Sequence, residues 1–143
     1  MEKGEINFFC ENNFSLTEEN VYKNWLDSVI KSEDKHTGNI NIIFCDDDYL
    51  HEINLKYLSH DTYTDIISFD SSLGNTLQGD IFISTERVEE NAENFNTEFI
   101  EELKRVLAHG ILHFCGYKDK TERENDLMRR KEEEKIKLFH VEQ

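Results

Sequence analysis

The stretch His109-Gly110-Ile111-Leu112-His113-Phe114-Cys115-Gly116-Tyr117-Lys118-Asp119 holds two histidines four apart, then a glycine, then a carboxylate. Turned at about 100° per residue, Phe99, Ile100, Leu103, Leu107, Ile111 and Phe114 fall on one broad arc, which predicts a helix with a buried face. His109 and His113 lie beside that arc, in line with Glu102 and Val106, where a helix would form the wall of a cleft. Residues four apart on a helix have Cβ atoms roughly 6 Å from each other, so both imidazoles can reach a single ion. Gly116 suits the left-handed position that ends a helix. Thr121 with Glu124 reads as a capping box that starts the next helix at once. Asp119 therefore falls in a tight turn, able to fold back on the histidines. His109, His113 and Asp119 are the expected metal ligands. The bare histidine pair is equally compatible with two side chains that bond only solvent or backbone.

Working outward, the chain alternates strand and helix signals. Ile6–Cys10 is a short apolar run, expected as a strand. Ser15 with Glu18 reads as a capping box ahead of Val21, Trp25, Leu26, Val29 and Ile30 at helical spacing. Ile40–Cys45 is expected as a strand, and Asp46, Asp47 and Asp48 as the cap of a helix carrying Leu50, Ile53, Leu55 and Tyr57. Asp65–Phe69 and Asp80–Ile83 are expected to pair around a polar loop at 71–79, with helix from residue 85 onward. There is no internal repeat and no proline. These signals predict one α+β domain over residues 1–143, a small mixed β-sheet packed with helices, and a zincin-like metal helix.

Composition narrows the class. At 143 residues the chain is long enough for one well-filled core. No apolar run approaches a membrane span, and no charged start leads into an apolar stretch. Cys10, Cys45 and Cys115 are odd in number and scattered, as expected for reduced thiols in the cytoplasm. Sixteen Lys and Arg against 31 Asp and Glu give a formal charge of −15. Such a surface repels nucleic acid, so an RNA substrate would need a local basic patch, a metal or a carrier.

Several separate motifs resemble the YbeY family of bacterial metal-dependent endoribonucleases linked to ribosomal RNA maturation. The family's hallmark, His-Gly-x-Leu-His-Leu-x-Gly-Tyr-Asp-His, is matched in register by His109, Gly110, Leu112, His113, Gly116 and Tyr117. Upstream, Tyr57-Leu58-Ser59-His60-Asp61-Thr62-Tyr63-Thr64-Asp65-Ile66-Ile67-Ser68-Phe69 is similar to the family segment ending Thr-Asp/Asn-Val-Leu-Ser-Phe. Gly79-Asp80-Ile81 and Met128 with its acidic neighbours also fit, so the likeness spans roughly residues 40 to 135. The resemblance implies a single-strand-specific endoribonuclease acting on ribosomal RNA (the 3′ end of 16S) with the small ribosomal subunit as partner. It also implies a zinc ion and a substrate cleft between the 61–69 segment and the motif helix, with Thr64, Asp65 and Ser68 facing RNA or supporting the site. Turn and strand-start chemistry explains Thr64 and Asp65 equally well.

Two positions depart from the family pattern. Its third metal histidine falls on Asp119, which gives a site of two histidines and one carboxylate; oxygen ligands favour harder ions. Its usual arginine falls on Leu58, which leaves the catalytic cation unassigned, with Lys56, His60 and Arg105 as candidates. Metal chemistry would be either attack on phosphorus by an acidified water or Lewis-acid assistance to the ribose 2′-hydroxyl. Rival readings are a ribosome-associated factor with a structural metal and no cleavage, and a zincin-like peptidase. The peptidase would need a glutamate base after the first histidine, where this chain has Gly110. Non-haem iron oxygenases share the ligand set but place it on a β scaffold.

Overall fold

Three strands alternate apolar and mixed residues with period two, and this alternation sorts the sheet into two faces. The structure is a computed structural model that describes residues 4–60 and 62–141, without the side chains of the last two. In chain order the elements are β1 (Ile6–Cys10), α1 (Glu19–Ser32), β2 (His36–Cys45), α2 (Asp47–Leu58) and β3 (Ile66–Asp70). They continue with β4 (Thr76–Ser84), α3 (Thr85–Asn94), α4 (Phe99–Phe114) and α5 (Glu122–Val141). The sheet order is β1-β2-β4-β3. β1, β2 and β4 run parallel, and β3 is antiparallel to β4. This is the mixed-sheet α+β arrangement expected.

One face carries Ile40, Ile42 and Phe44 of β2 with Leu77, Ile81 and Ile83 of β4, all buried against α1 and α4 in the main core. The other face is covered in part by α2, where Leu50 meets Cys45 and Ile67. Within α4, Leu103, Val106, Leu107, Ala108, Gly110, Ile111 and Leu112 are all buried, so this helix is the central one. Gly110 explains how it sits so close to the sheet: a Cβ there would stand 3.0 Å from Ile66 Cδ1 and 3.1 Å from Ile81 Cδ1. The residue after the first histidine therefore faces the sheet and not the cleft. A zincin base at that position has nowhere to act. Trp25, fully buried on α1, donates its indole N–H to the Lys135 carbonyl at 2.7 Å and docks α5 across the same core.

Several local expectations are corrected. α1 starts from Glu18 in a left-handed conformation, with no side-chain cap, so Ser15 and Glu18 form no capping box. β2 begins at His36, four residues before the apolar run, because its early residues pair with Thr76 and Leu77. β4 correspondingly begins at Thr76, and the expected 71–79 loop shrinks to a turn closed by a Leu73–Thr76 bridge with Gly74 at positive φ. Asp46 occupies the cap position of α2 without a capping bond, and its carboxylate instead accepts from Asn12 Nδ2 at 3.1 Å. Leu55 and Tyr57 point outward; Leu50 and Asn54 are the buried residues of α2. The Thr121–Glu124 box is present with reciprocal bonds of 2.9 and 3.1 Å. No helix among the described residues is long and apolar enough to cross a membrane.

Candidate metal centre

α4 supplies His109 and His113 from one edge, and the turn after Gly116 (φ 106°) brings Asp119 back over them. The two Nε2 atoms stand 2.9 Å apart, and Asp119 Oδ2 is 3.2 Å from each. Three ligands at zinc distances of about 2.0–2.1 Å would be separated by about 2.9 Å at right angles and about 3.4 Å at tetrahedral angles. The observed triangle lies between those values.

The opposite ring nitrogens decide the chemistry of that triangle. His109 Nδ1 lies 2.7 Å from Glu132 Oε2 on α5, and His113 Nδ1 lies 3.0 Å from the Tyr117 carbonyl. A carbonyl and a carboxylate only accept, so both Nδ1 atoms hold the proton in the neutral rings. Both Nε2 lone pairs then face the Asp119 carboxylate. Three electron-rich atoms directed at one point repel unless a cation lies between them. The donor set thus fits a single ion held by His109, His113 and Asp119. Burial opposes a charge on His109, but the hydrogen bond and charge of Glu132, aided by Asp119 and Asp65, outweigh it and raise the imidazole above its ordinary range.

The orienting groups are themselves tied down. Glu132 is buried, and its second oxygen accepts from Arg105 Nη1 at 3.2 Å. Arg105 also binds Glu133 at 2.5 Å and lies 4.0 Å from Glu102. Tyr117 extends its hydroxyl to Glu33, just past α1, at 2.7 Å, and the same carboxylate binds Lys135 at 2.7 Å and Lys131 at 3.3 Å. Burial alone would raise the Glu33 carboxyl. The bonds from Lys135 and Tyr117 and the two lysine charges hold it below its usual range. The ligand-bearing turn is therefore fastened to α1, α4 and α5.

His109 and Asp119 open onto a cavity of about 760 Å³ whose walls come from the start of β3, from α3 and α4, and from α5. Asp65 lines it, accepts from Asn91 Nδ2 at 3.4 Å, and is raised above the ordinary carboxyl range by burial, against the pull of His109. Arg105, one of the three candidate cations, lines it as expected, with its guanidinium bound or close to three carboxylates. Thr64 and Ser68, expected in the cleft, are not part of its wall. The Thr64 hydroxyl donates to the Ile66 carbonyl at 3.4 Å, a strand-start contact, and Ser68 pairs with Ile81 inside the sheet. Leu58, Lys56 and His60 also lie off the cavity wall, and Lys56 rests over the Tyr57 ring. Asp61 lies outside the described residues. Sequence reasoning missed Glu132 and the Tyr117 carbonyl as orienting groups; the acidic residues after Met128 were the only available signal.

Comparison with known proteins identifies the family. The family described as Endoribonuclease YbeY matches residues 7–140. A relative from Christiangramia forsetii named Endoribonuclease YbeY is 76% identical over 143 residues, covering 100% of both chains. One of the same name from Flavobacterium johnsoniae is 64% identical over 138 residues, 96% of this chain and 99% of that one. The solution structure of TM1509 from Thermotoga maritima superposes with a TM-score of 0.71 at 30% identity, over 96% of this chain and 90% of the other. On the family match over residues 7–140 and these near-full-length relatives, the chain belongs to the YbeY family.

Proposed function

We propose that this chain is a metal-dependent endoribonuclease that cuts single-stranded RNA during ribosomal RNA maturation, at the 3′ end of 16S RNA, with residues 1–143 acting as one domain. The observation that carries this reading is the triangle of His109 Nε2, His113 Nε2 and Asp119 Oδ2 beside a cavity, in a chain of this family. Zinc is the ion best suited to two imidazoles and one carboxylate, with manganese or iron favoured relative to a three-histidine site. When bound, the ion supplies Lewis-acid charge at a phosphoryl oxygen and lowers the pKa of a water ligand.

The chain's own residues do the positioning. Glu132 and the Tyr117 carbonyl hold His109 and His113 in the tautomer that presents Nε2. Arg105 holds Glu132 aimed at His109. Asp65, with its raised carboxyl, stands on the cavity wall where it can take or return a proton. The small ribosomal subunit in the cytoplasm is the proposed setting, because a chain of charge −15 meets naked RNA poorly.

The test is cleavage of a structured ribosomal RNA fragment by the metal-loaded protein beside a His113→Ala control, with metal content measured in both. Cleavage by the wild type alone supports the reading. Equal cleavage by both points to a contaminant and favours a ribosome-associated factor that does not cut. A 2′,3′-cyclic phosphate on the product identifies attack by the ribose hydroxyl.

A further inference from the structure

The cavity beside the metal ligands is lined by six carboxylates, from Asp65, Glu101, Glu102, Asp119, Glu132 and Glu133, and by two guanidinium groups, Arg105 and Arg129. An RNA strand brings only negative charge to this surface, so its backbone needs a cation that is not already consumed. Arg105 is consumed: Glu132, Glu133 and Glu102 surround it. Arg129 is different. It is exposed on α5, and among the described residues no hydrogen bond or close ion pair holds its guanidinium, although its charge is felt by Glu102 and Glu133.

Its placement is set by helix geometry. Arg129 and Glu132 are three apart on α5, so their Cβ atoms lie about 5–6 Å from each other on one face. Glu132 touches His109 at 2.7 Å, so Arg129 flanks the metal ligands by less than one helical turn. Its long side chain extends along the same cavity wall. A guanidinium binds phosphate with two parallel N–H bonds, which suits it to hold a strand in register next to a reacting phosphodiester.

We propose that Arg129 is the substrate-phosphate contact of this cleft, serving the need left by Leu58 at the family's arginine position. This rests on the endoribonuclease reading. Arg129 holds a phosphate neighbouring the one at the ion, and its effect is on binding and register, with no role in proton transfer. Because the remaining wall is acidic, this one cation separates a cleft that accepts RNA from one that rejects it.

The test compares wild type, Arg129→Ala, Arg129→Lys and Arg130→Ala, all zinc-loaded, on a single-stranded RNA oligonucleotide. Arg130 is exposed one position along α5 and outside the cavity wall, so its removal changes net charge equally without touching the cleft. Cleavage gives kcat and KM, and anisotropy on a 2′-O-methyl form of the oligonucleotide gives Kd. R129A is expected to weaken Kd and raise KM about ten-fold or more, the loss of one charge-assisted phosphate contact. R129K recovers part of the loss. The slope of log affinity against log salt falls by about 0.7 for R129A, one single-strand phosphate contact. Zinc content and Tm stay at wild-type values, and R130A stays within about two-fold. R129A matching wild type in Kd and salt slope, or R130A losing as much as R129A, overturns the assignment to Arg129 while leaving the enzyme reading intact. A wild type that neither binds nor cleaves the RNA even at saturating protein concentration, where poor encounter no longer limits, overturns both.

Discussion

Replacing Glu132 isolates the contribution of an orienting carboxylate that never touches the ion. Its Oε2 lies 2.7 Å from His109 Nδ1, and its Oε1 lies 3.2 Å from Arg105. In Glu132→Gln the amide oxygen can still accept from Nδ1, but the charge that makes Nε2 a stronger donor is gone. Arg105 keeps Glu133 and so stays satisfied. In Glu132→Ala the ring loses its partner altogether and is free to turn. Orienting partners of this kind are worth about 10–100-fold in metal affinity, or about 1.4–2.7 kcal/mol. The conservative variant is expected near the lower value and the alanine near the upper. Glu132 also raises the His109 imidazole, so proton competition would mask part of the effect at neutral pH. Competition titration against a chromophoric chelator is therefore done near pH 8, roughly 1.5 units above an ordinary imidazole. A folded Glu132→Ala protein that binds zinc within about two-fold of wild type would refute the argument that the triangle depends on α5.

Three further outcomes are expected. Asp119→Ala should lose zinc affinity as sharply as His109→Ala, whereas Asp119→His should keep the site and shift preference from manganese towards zinc; retention of full affinity in Asp119→Ala removes Asp119 from the ligand set. Gly79→Ala places a Cβ 2.2 Å from the Phe69 carbonyl at φ 149°, and should cost about 2 kcal/mol or more in urea unfolding. Glu33 has its carboxyl held below the ordinary range, so its stabilisation is fully present above the unfolded value of about 4.5 and is lost as pH falls through the lower folded value. Glu33→Gln should be less stable at neutral pH and should flatten the acid limb of a Tm–pH curve, and an unchanged acid limb counts against the stabilising role of the Glu33 contacts with Tyr117, Lys131 and Lys135.

The motif helix was legible because its apolar period, its terminal glycine and the Thr121–Glu124 box all act within a few residues of chain. The clustering of His109, His113 and Asp119 was legible for the same reason, since the three span eleven residues, 109 to 119. The starts of β2 and β4 were not. His36, Thr37 and Thr76 are polar, and only their pairing partners, forty residues away, make them strand. Glu132 escaped notice because its role arises where α4 meets α5, and no local pattern encodes that crossing. Arg105 appears in sequence as a cation beside the site; only the packed structure shows three carboxylates around it.

The fastening of Tyr117 has a thermodynamic consequence. Its carbonyl steadies His113 while its hydroxyl is held by Glu33, so folding itself orders the turn that carries Asp119. An ion that arrives afterwards meets ligands already in place and loses little affinity to ordering them. By linkage, the same ion favours the folded chain over the unfolded one by about 4 kcal/mol at a thousand times its Kd. For a protein of ordinary stability that is a large share of the total. The supply of metal then governs how much folded protein persists as well as how fast it works.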